Sequence, residues 1–331
     1  MPVMNAIRAF MSSRLLGTKA IPPGQRMRMT LAAAMIGLGF GVLAMSLSRR
    51  VSPEWRYFPF VIAGVGIAGV VWMQRLLRGT LLQNVELQKD QQAAQQIQTR
   101  LRPEALPQPP GYELADHYRA YRHVGGDYYE TMLLDERRLL LAIADVSGKG
   151  AGAALLTANL QAILKFVDFD EHPLDHTVAA INMHLCRHTE PGRFITMMIG
   201  VLDLESRRLT YVNAGHNPAM LHRDGRVERL GATAPPLGAI EGLAFPSAEA
   251  VLAPGDALVL YTDGLSERRN RRNGFFDEAG IEATLRSNGR ASARVILGGL
   301  VDAGETFAGG VPPDDDTAIL VVRVREPIAR A

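Results

Sequence analysis

An α+β domain preceded by a pair of membrane-spanning helices is the fold class that this 331-residue sequence predicts. Three observations predict it. Several strand-like runs are interleaved with helix pairs, which argues against a regular parallel βαβ sheet. Two long uncharged runs occupy the amino-terminal quarter. Four aspartates, Asp127, Asp145, Asp263 and Asp315, stand at the mouths of strand-like runs in the second half.

Residues 1–28 form a basic segment in which Arg8, Arg14, Lys19, Arg26 and Arg28 come with no acidic residue among them. Met29 to Leu47 and Tyr57 to Met73 are uncharged. As helices they would run roughly 28 and 25 Å, close to the ~30 Å hydrocarbon core of a bilayer. The short connector Ser48 to Arg56 makes them a transmembrane hairpin over residues 29–74. Trp55, Tyr57 and Trp72 fall where interfacial aromatics stand, and Gly37 and Gly41 offer a small-residue packing face. With Arg75 and Arg78 following, the positive-inside rule puts both termini in the cytoplasm. The expectation is an inner (cytoplasmic) membrane protein with its catalytic domain in the cytoplasm. The alternative, a buried soluble hairpin, is disfavoured by the near-spanning length of both runs.

Residues 75–107 read as a linker helix, and from Thr80 there is no breaker until Pro103. Leu87, Ala94 and Leu101 mark a positions, with Asp90 and Ile97 at d. That seam fits a short coiled coil and a homodimer; a single solvated helix is the other reading. From there to residue 326 the composition is that of one globular domain. Leu139 to Asp145 reads as a buried strand, and Gly150 to Val167 as a helix with apolar residues at the helical period. Leu174 to Leu185 is a second amphipathic helix. Ile195 to Leu204 and Leu209 to Gly215 are a strand pair around the turn Glu205 to Arg208. Ala257 to Thr262 and Ala318 to Val324 are strands, and Gly280 to Leu285 and Ser292 to Ala303 are helical.

A net charge of +2 is too small to argue for nucleic-acid binding, and a single cysteine, Cys186, excludes an intrachain disulfide. Asp145-Val146-Ser147-Gly148-Lys149-Gly150 is not a phosphate loop, because Ile143 stands where that motif needs its first glycine and Gly150 where it needs Ser or Thr. The pairs His184/His188 and His172/His176 have helical spacing, but neither has the glutamate of a zincin helix, and no third ligand is evident. No Gly-x-Ser-x-Gly turn supports a serine nucleophile. Carboxylates at strand ends beside glycines suit hard divalent cations, Mg²⁺ or Mn²⁺, and a pair of these can activate a water for attack on phosphorus. His216, after a strand and before a turn, reads either as an organiser of the site by hydrogen bonding or as purely structural.

With these segments in hand, the chain resembles the SpoIIE-type branch of the PPM family of metal-dependent serine/threonine protein phosphatases. The resemblance rests on ordered motifs. They are Ile97 to Pro103, Gly111 to Ala115, Val124 to Glu130, Ala144 to Gly150, Phe194 to Met197, Tyr211 to Pro218, Leu260 to Asn270 and Asp314 to Val322. It implies a PPM-type αββα sandwich over residues 108–326, two Mn²⁺ or Mg²⁺ ions, and phosphoserine or phosphothreonine on a protein substrate. By position, Asp127 and Asp145 with the Val146 carbonyl would hold one ion. Asp145, Asp263 and Asp315 would hold the other, with Asp316 as the second choice for the last ligand. A metal-activated water would then attack in one step. Relatives of this branch act on phosphorylated anti-anti-sigma (STAS-domain) proteins. A membrane sensor or scaffold whose phosphatase-like domain only binds a partner is the competing reading. Departures from the family pattern are Glu130 where Asp is usual, Thr317-Ala318 where a hydrophobic residue and Thr are usual, and Ser147 where eukaryotic relatives carry a histidine acid. Arg119 and Arg122 are the candidates for contacting phosphate.

Overall fold

The nine residues of strand β3, Arg138–Val146, alternate between two separate cores. Leu139, Leu141 and Ile143 face one, and Leu140, Ala142 and Ala144 face the other. A strand buried on both faces belongs to a central layer, and a near-continuous apolar run is the sequence form it takes. The computed structural model describes residues 105–326 apart from 122–124, 149 and 191, with a few isolated positions before them. Nearly all of the hairpin expected over residues 29–74 and of the linker over 75–107 lies outside the described residues. Among the described residues no helix is long and apolar enough to cross a membrane.

Two five-stranded antiparallel sheets form the middle of the domain. In chain order the strands are β1 (Tyr112–Arg119), β2 (Tyr128–Leu133), β3, β4 (Ile195–Asp203), β5 (Arg208–Ala214), β6 (Ala219–Arg223), β7 (Arg226–Leu230), β8 (Ala248–Val251), β9 (Ala257–Tyr261) and β10 (Thr317–Val324). One sheet has the order β1-β10-β9-β6-β7 and the other β2-β3-β4-β5-β8. Their facing sides enclose Leu141, Ile143, Met198, Leu258, Leu260, Leu320 and Val322.

Helices α1 (Ala151–Phe166) and α2 (Leu174–His188) cover the outer face of the second sheet, with Leu160, Leu164, Val178, Ile181 and Leu185 packed on Leu140, Ala142 and Ile199. The one-turn helix α3 (Asp263–Ser266) follows β9. Helices α4 (Asp277–Asn288) and α5 (Ala293–Ala308) cover the first sheet through Ile281, Leu285, Ile296 and Leu300, packed on Val259, Ile319 and Val321. The layering is therefore helix, sheet, sheet, helix, as the motifs implied.

The strand and helix positions expected in the domain core are all present, with α4 and α5 longer than their apolar stretches. Strands β1, β2, β6, β7 and β8 and helix α3 go beyond the expectation. The β6–β7 hairpin carried a legible signal: Asp224 (φ 48°) and Gly225 (φ 80°) form its two-residue turn, with Arg223 opposite Arg226. Asp-Gly is the pair that such a turn demands, because both central residues need positive φ. Strand β1 carries Glu113, Asp116, His117 and Arg119 and shows little apolar alternation; its pairing along the whole of β10 makes it a strand.

Candidate metal centre

Sheet register delivers the acidic residues to one end of the sandwich. Strand β2 begins one residue after Asp127 and sets Tyr128 opposite Ala144, so Asp127 arrives beside Asp145 near the end of β3. In the other sheet β9 runs out into Thr262 and then Asp263, while β10 enters from Asp314, Asp315 and Asp316 beside it. The Thr262 amide donates to the Ala318 carbonyl at 3.0 Å and closes that junction.

One carboxylate oxygen from each of Asp127, Asp145 and Asp263 lies within 4.8 Å of the others. The Val146 carbonyl is at the same place: a Cβ built on Gly126 would sit 2.8 Å from that oxygen and 3.4 Å from Asp145 Oδ1. Glycine at 126 is thus what lets the Asp127 loop pass so close. Asp315 does not join the group of three. Its charge acts on Asp263, and its Oδ1 accepts the Asp316 amide at 2.9 Å.

The three consecutive aspartates have three different jobs. Asp314 pairs with Arg269 at 3.2 Å. The buried Asp316 accepts the amides of Tyr121 and Gly126, each at 2.7 Å, and so pins the loop that carries Asp127. Both of its oxygens accept backbone amides. Gly264 is required where α3 meets this segment, since a Cβ there would overlap the Asp316 carbonyl.

Electrostatics at the cluster are dominated by burial and like charge. Burial and then Asp145 push the Asp127 carboxyl well above the ordinary range, opposed by the Thr262 hydroxyl, which donates to Asp127 Oδ2 at 2.6 Å. Asp263 is pushed up to about 7 by burial, then by Asp145 and Asp315. Among the described residues no Lys or Arg is one of the leading charges acting on either. An all-oxygen donor set with surplus negative charge fits Mg²⁺ or Mn²⁺ and does not fit a soft, thiolate-seeking metal.

Four neighbouring residues singled out in the sequence have definite partners. Glu130, in the place of a usual Asp, is buried and faces α1, accepting from the Tyr128 hydroxyl (3.0 Å) and paired with Lys165 (2.7 Å). Arg119 is engaged by Glu305 at 2.7 Å, while Arg122 lies outside the described residues. Ser147 Oγ accepts the Phe194 amide at 2.8 Å, which makes it a latch between the β3 exit and the β4 entry. His216 is buried and held neutral, pushed down to about 4 by burial, with Nδ1 2.9 Å from Thr196 Oγ1. Thr196 is the register partner of Asp145, so His216 braces the strand beside the bridging position.

Sequence reasoning missed the role of Thr262 and, altogether, Arg193. Arg193 Nη1 donates to the Ser147 carbonyl at 3.1 Å, and its guanidinium occupies the space that a Cβ on Gly148 would need. It clamps the turn that follows Asp145 and Val146. The available signal was a basic residue just before the Phe194 to Met197 motif, facing glycines that leave room for it.

Residues 135–325, more than half of the chain, match the family model described as Stage II sporulation protein E (SpoIIE). The chain belongs to the SpoIIE family. Among curated relatives, Protein IcfG of Synechocystis sp. is 26% identical over 302 residues, which cover 78% of this chain and 46% of IcfG. Phosphoserine phosphatase RsbU of Bacillus subtilis is 25% identical over 221 residues, covering 66% of this chain and 65% of RsbU. The chain thus spans less than two thirds of either relative. The crystal structure of the RsbU and RsbW domains of Rv1364c from Mycobacterium tuberculosis superposes with a TM-score of 0.59 at 30% identity, covering 69% of this chain and 64% of that one.

The raised Asp263 carboxyl makes metal-free stability depend on pH with a definite sign. A carboxyl raised on folding stays protonated in the folded chain while the unfolded chain ionises, so its contribution is full below the ordinary carboxylate range and is lost as pH rises through about 7. Thermal unfolding of metal-free protein should therefore show a falling midpoint across that window. Asp263→Asn should flatten the fall, and saturating Mn²⁺ should reverse it. A midpoint that rises with pH in the absence of metal would contradict the crowding of these carboxylates.

Proposed function

We propose that the chain is a membrane-anchored, metal-dependent protein serine/threonine phosphatase that removes phosphate from a cytoplasmic signalling protein of the STAS-domain kind. The convergence of Asp127, Asp145 and Asp263 oxygens within 4.8 Å carries this reading. Membership of the SpoIIE family and likeness to RsbU support the substrate class.

Asp127, Asp145 and the Val146 carbonyl would hold one Mg²⁺ or Mn²⁺ ion, and Asp145, Asp263 and Asp315 a second. Bound there, the pair supplies Lewis-acid polarisation of the phosphoryl group and acidifies water. The chain's own contribution is to hold the donors in place before substrate arrives. Thr262 fixes Asp127 through its hydroxyl, and Asp316 fixes the loop ahead of it. Arg193 and Ser147 fix the turn after Asp145. Each is a hydrogen bond made before reaction, so little reorganisation is left for the chemical step.

Hydrolysis of a phosphoserine peptide by the full chain should require Mn²⁺ or Mg²⁺. Asp145→Asn should lower turnover by more than the ~10–100-fold that loss of an outer-shell partner costs, with the thermal midpoint retained or raised. Parent-rate turnover by that variant at saturating Mn²⁺ would remove the two-metal reading. A wild-type chain that binds a phosphoprotein without hydrolysing it would favour a scaffold.

The membrane hairpin over residues 29–74 and the dimeric stalk over 75–107 rest on the uncharged runs and the Leu87–Leu101 seam. Reporter fusions after Gly24 and after Arg78 should both read as cytoplasmic, and Ile97→Asp should lower the dimer content of the full chain. An external reading after Arg78, or a monomeric parent chain, would overturn the corresponding part.

A further inference from the structure

Beside the carboxylate cluster lies a pocket of about 370 Å³. Its walls are the Gly215–Pro218 loop after β5, the end of α3 at Ser266 and Glu267, and the entry to α4 at Phe275, Asp277 and Glu278. It shares a wall with the cluster. Ser266 Oγ is 3.3 Å from the Asp263 carbonyl and accepts from Asn217 Nδ2 at 3.1 Å, and the charge of Glu267 acts on Asp263. The volume lies at the low end of small-ligand pockets, about 300–1,000 Å³, so one or two side chains fit and a folded domain does not.

The lining has a definite chemistry. Glu278 is already paired with Arg229. Glu267 and Asp277 are exposed and have no ion pair among the described residues. Phe275, a residue 45% exposed, presents an apolar wall, and the cation stacked on it, Arg269, is neutralised by Asp314. His216, only 5% exposed, lines the pocket too. An aromatic wall and two unneutralised carboxylates lining one cavity suit a long side chain with an apolar stem and a cationic head.

We propose that this pocket is a specificity subsite that receives a lysine or arginine side chain flanking the phosphorylated residue of the substrate. The inference rests on the phosphatase reading and deepens it by naming the substrate's chemistry. The Phe275 ring takes the stem, and Glu267 and Asp277 take the charge. Seating that side chain places the neighbouring phosphoryl group at the cluster.

The test uses the full chain with Mn²⁺ and phosphoserine peptides that differ only in carrying Lys or Glu at one flanking position at a time. The readout is the ratio of kcat/KM for the Lys peptide to that for the Glu peptide. At one position the ratio should reach about tenfold or more, and it should shrink with added salt. The double variant Glu267→Gln/Asp277→Asn should bring that ratio to about one, since both substitutions keep the shape and Asn tolerates the positive φ (60°) at 277. Equal kcat/KM for Lys and Glu at every position would overturn the subsite and leave the phosphatase reading standing. If no peptide is hydrolysed, that reading fails by itself, and fluorescence anisotropy of the same labelled peptides decides the pocket. A Lys-over-Glu preference in affinity that the double variant abolishes supports it, and equal affinities overturn it.

Discussion

Repulsion among the carboxylates at one end of the sandwich is the constraint on which the rest of the domain depends. Two unit charges 4 Å apart repel by about 4 kcal/mol at the effective dielectric of a protein surface. Asp127, Asp145 and Asp263 meet at that kind of distance, with Asp315 and Asp316 close behind. No local feature of the chain would hold them there. They are held because β2–β3 and β9–β10 are fixed in register by cores on both faces, so moving any one aspartate away means slipping a strand. A one-residue slip of β3 would exchange Leu139, Leu141 and Ile143 with Leu140, Ala142 and Ala144 between two different cores.

The same constraint explains why the surroundings of the cluster are so fully hydrogen-bonded. Thr262 and Asp316 secure the Asp127 side, and Ser147 and Arg193 the Asp145 side. Close packing of backbone does the rest, at Gly126 beneath the Val146 carbonyl and at Gly264 against Asp316. These residues keep a high-energy arrangement of charge in shape, and a divalent cation is the partner that turns repulsion into binding. A scaffold that only presented a surface would have no use for carboxylates stacked so closely.

How far this was legible in the sequence depended on the range of the interaction. The buried strands β3, β4, β5, β9 and β10 announced themselves as apolar runs, and α1 and α2 by helical period. Four aspartates at strand ends pointed to oxygen chemistry before any coordinates. What stayed hidden is set by contacts between distant segments. Strand β1 has little apolar alternation and exists by pairing with β10, two hundred residues on. The different jobs of Asp314, Asp315 and Asp316 are decided by Arg269, by Asp263 and by the amides of Tyr121 and Gly126, none of which their shared side chain reveals. Arg119, a candidate for phosphate in the sequence, is taken up by Glu305, while Arg193, passed over there, clamps the turn after Asp145.

The measurement that tests the central claim most directly is anomalous difference density in a crystal of the full chain soaked with Mn²⁺. Two peaks are predicted at the end of the sandwich, one in contact with Asp127, Asp145 and the Val146 carbonyl, the other with Asp145, Asp263 and Asp315. No peak touching Asp145 at saturating Mn²⁺, or ions bound only elsewhere on the molecule, would contradict it.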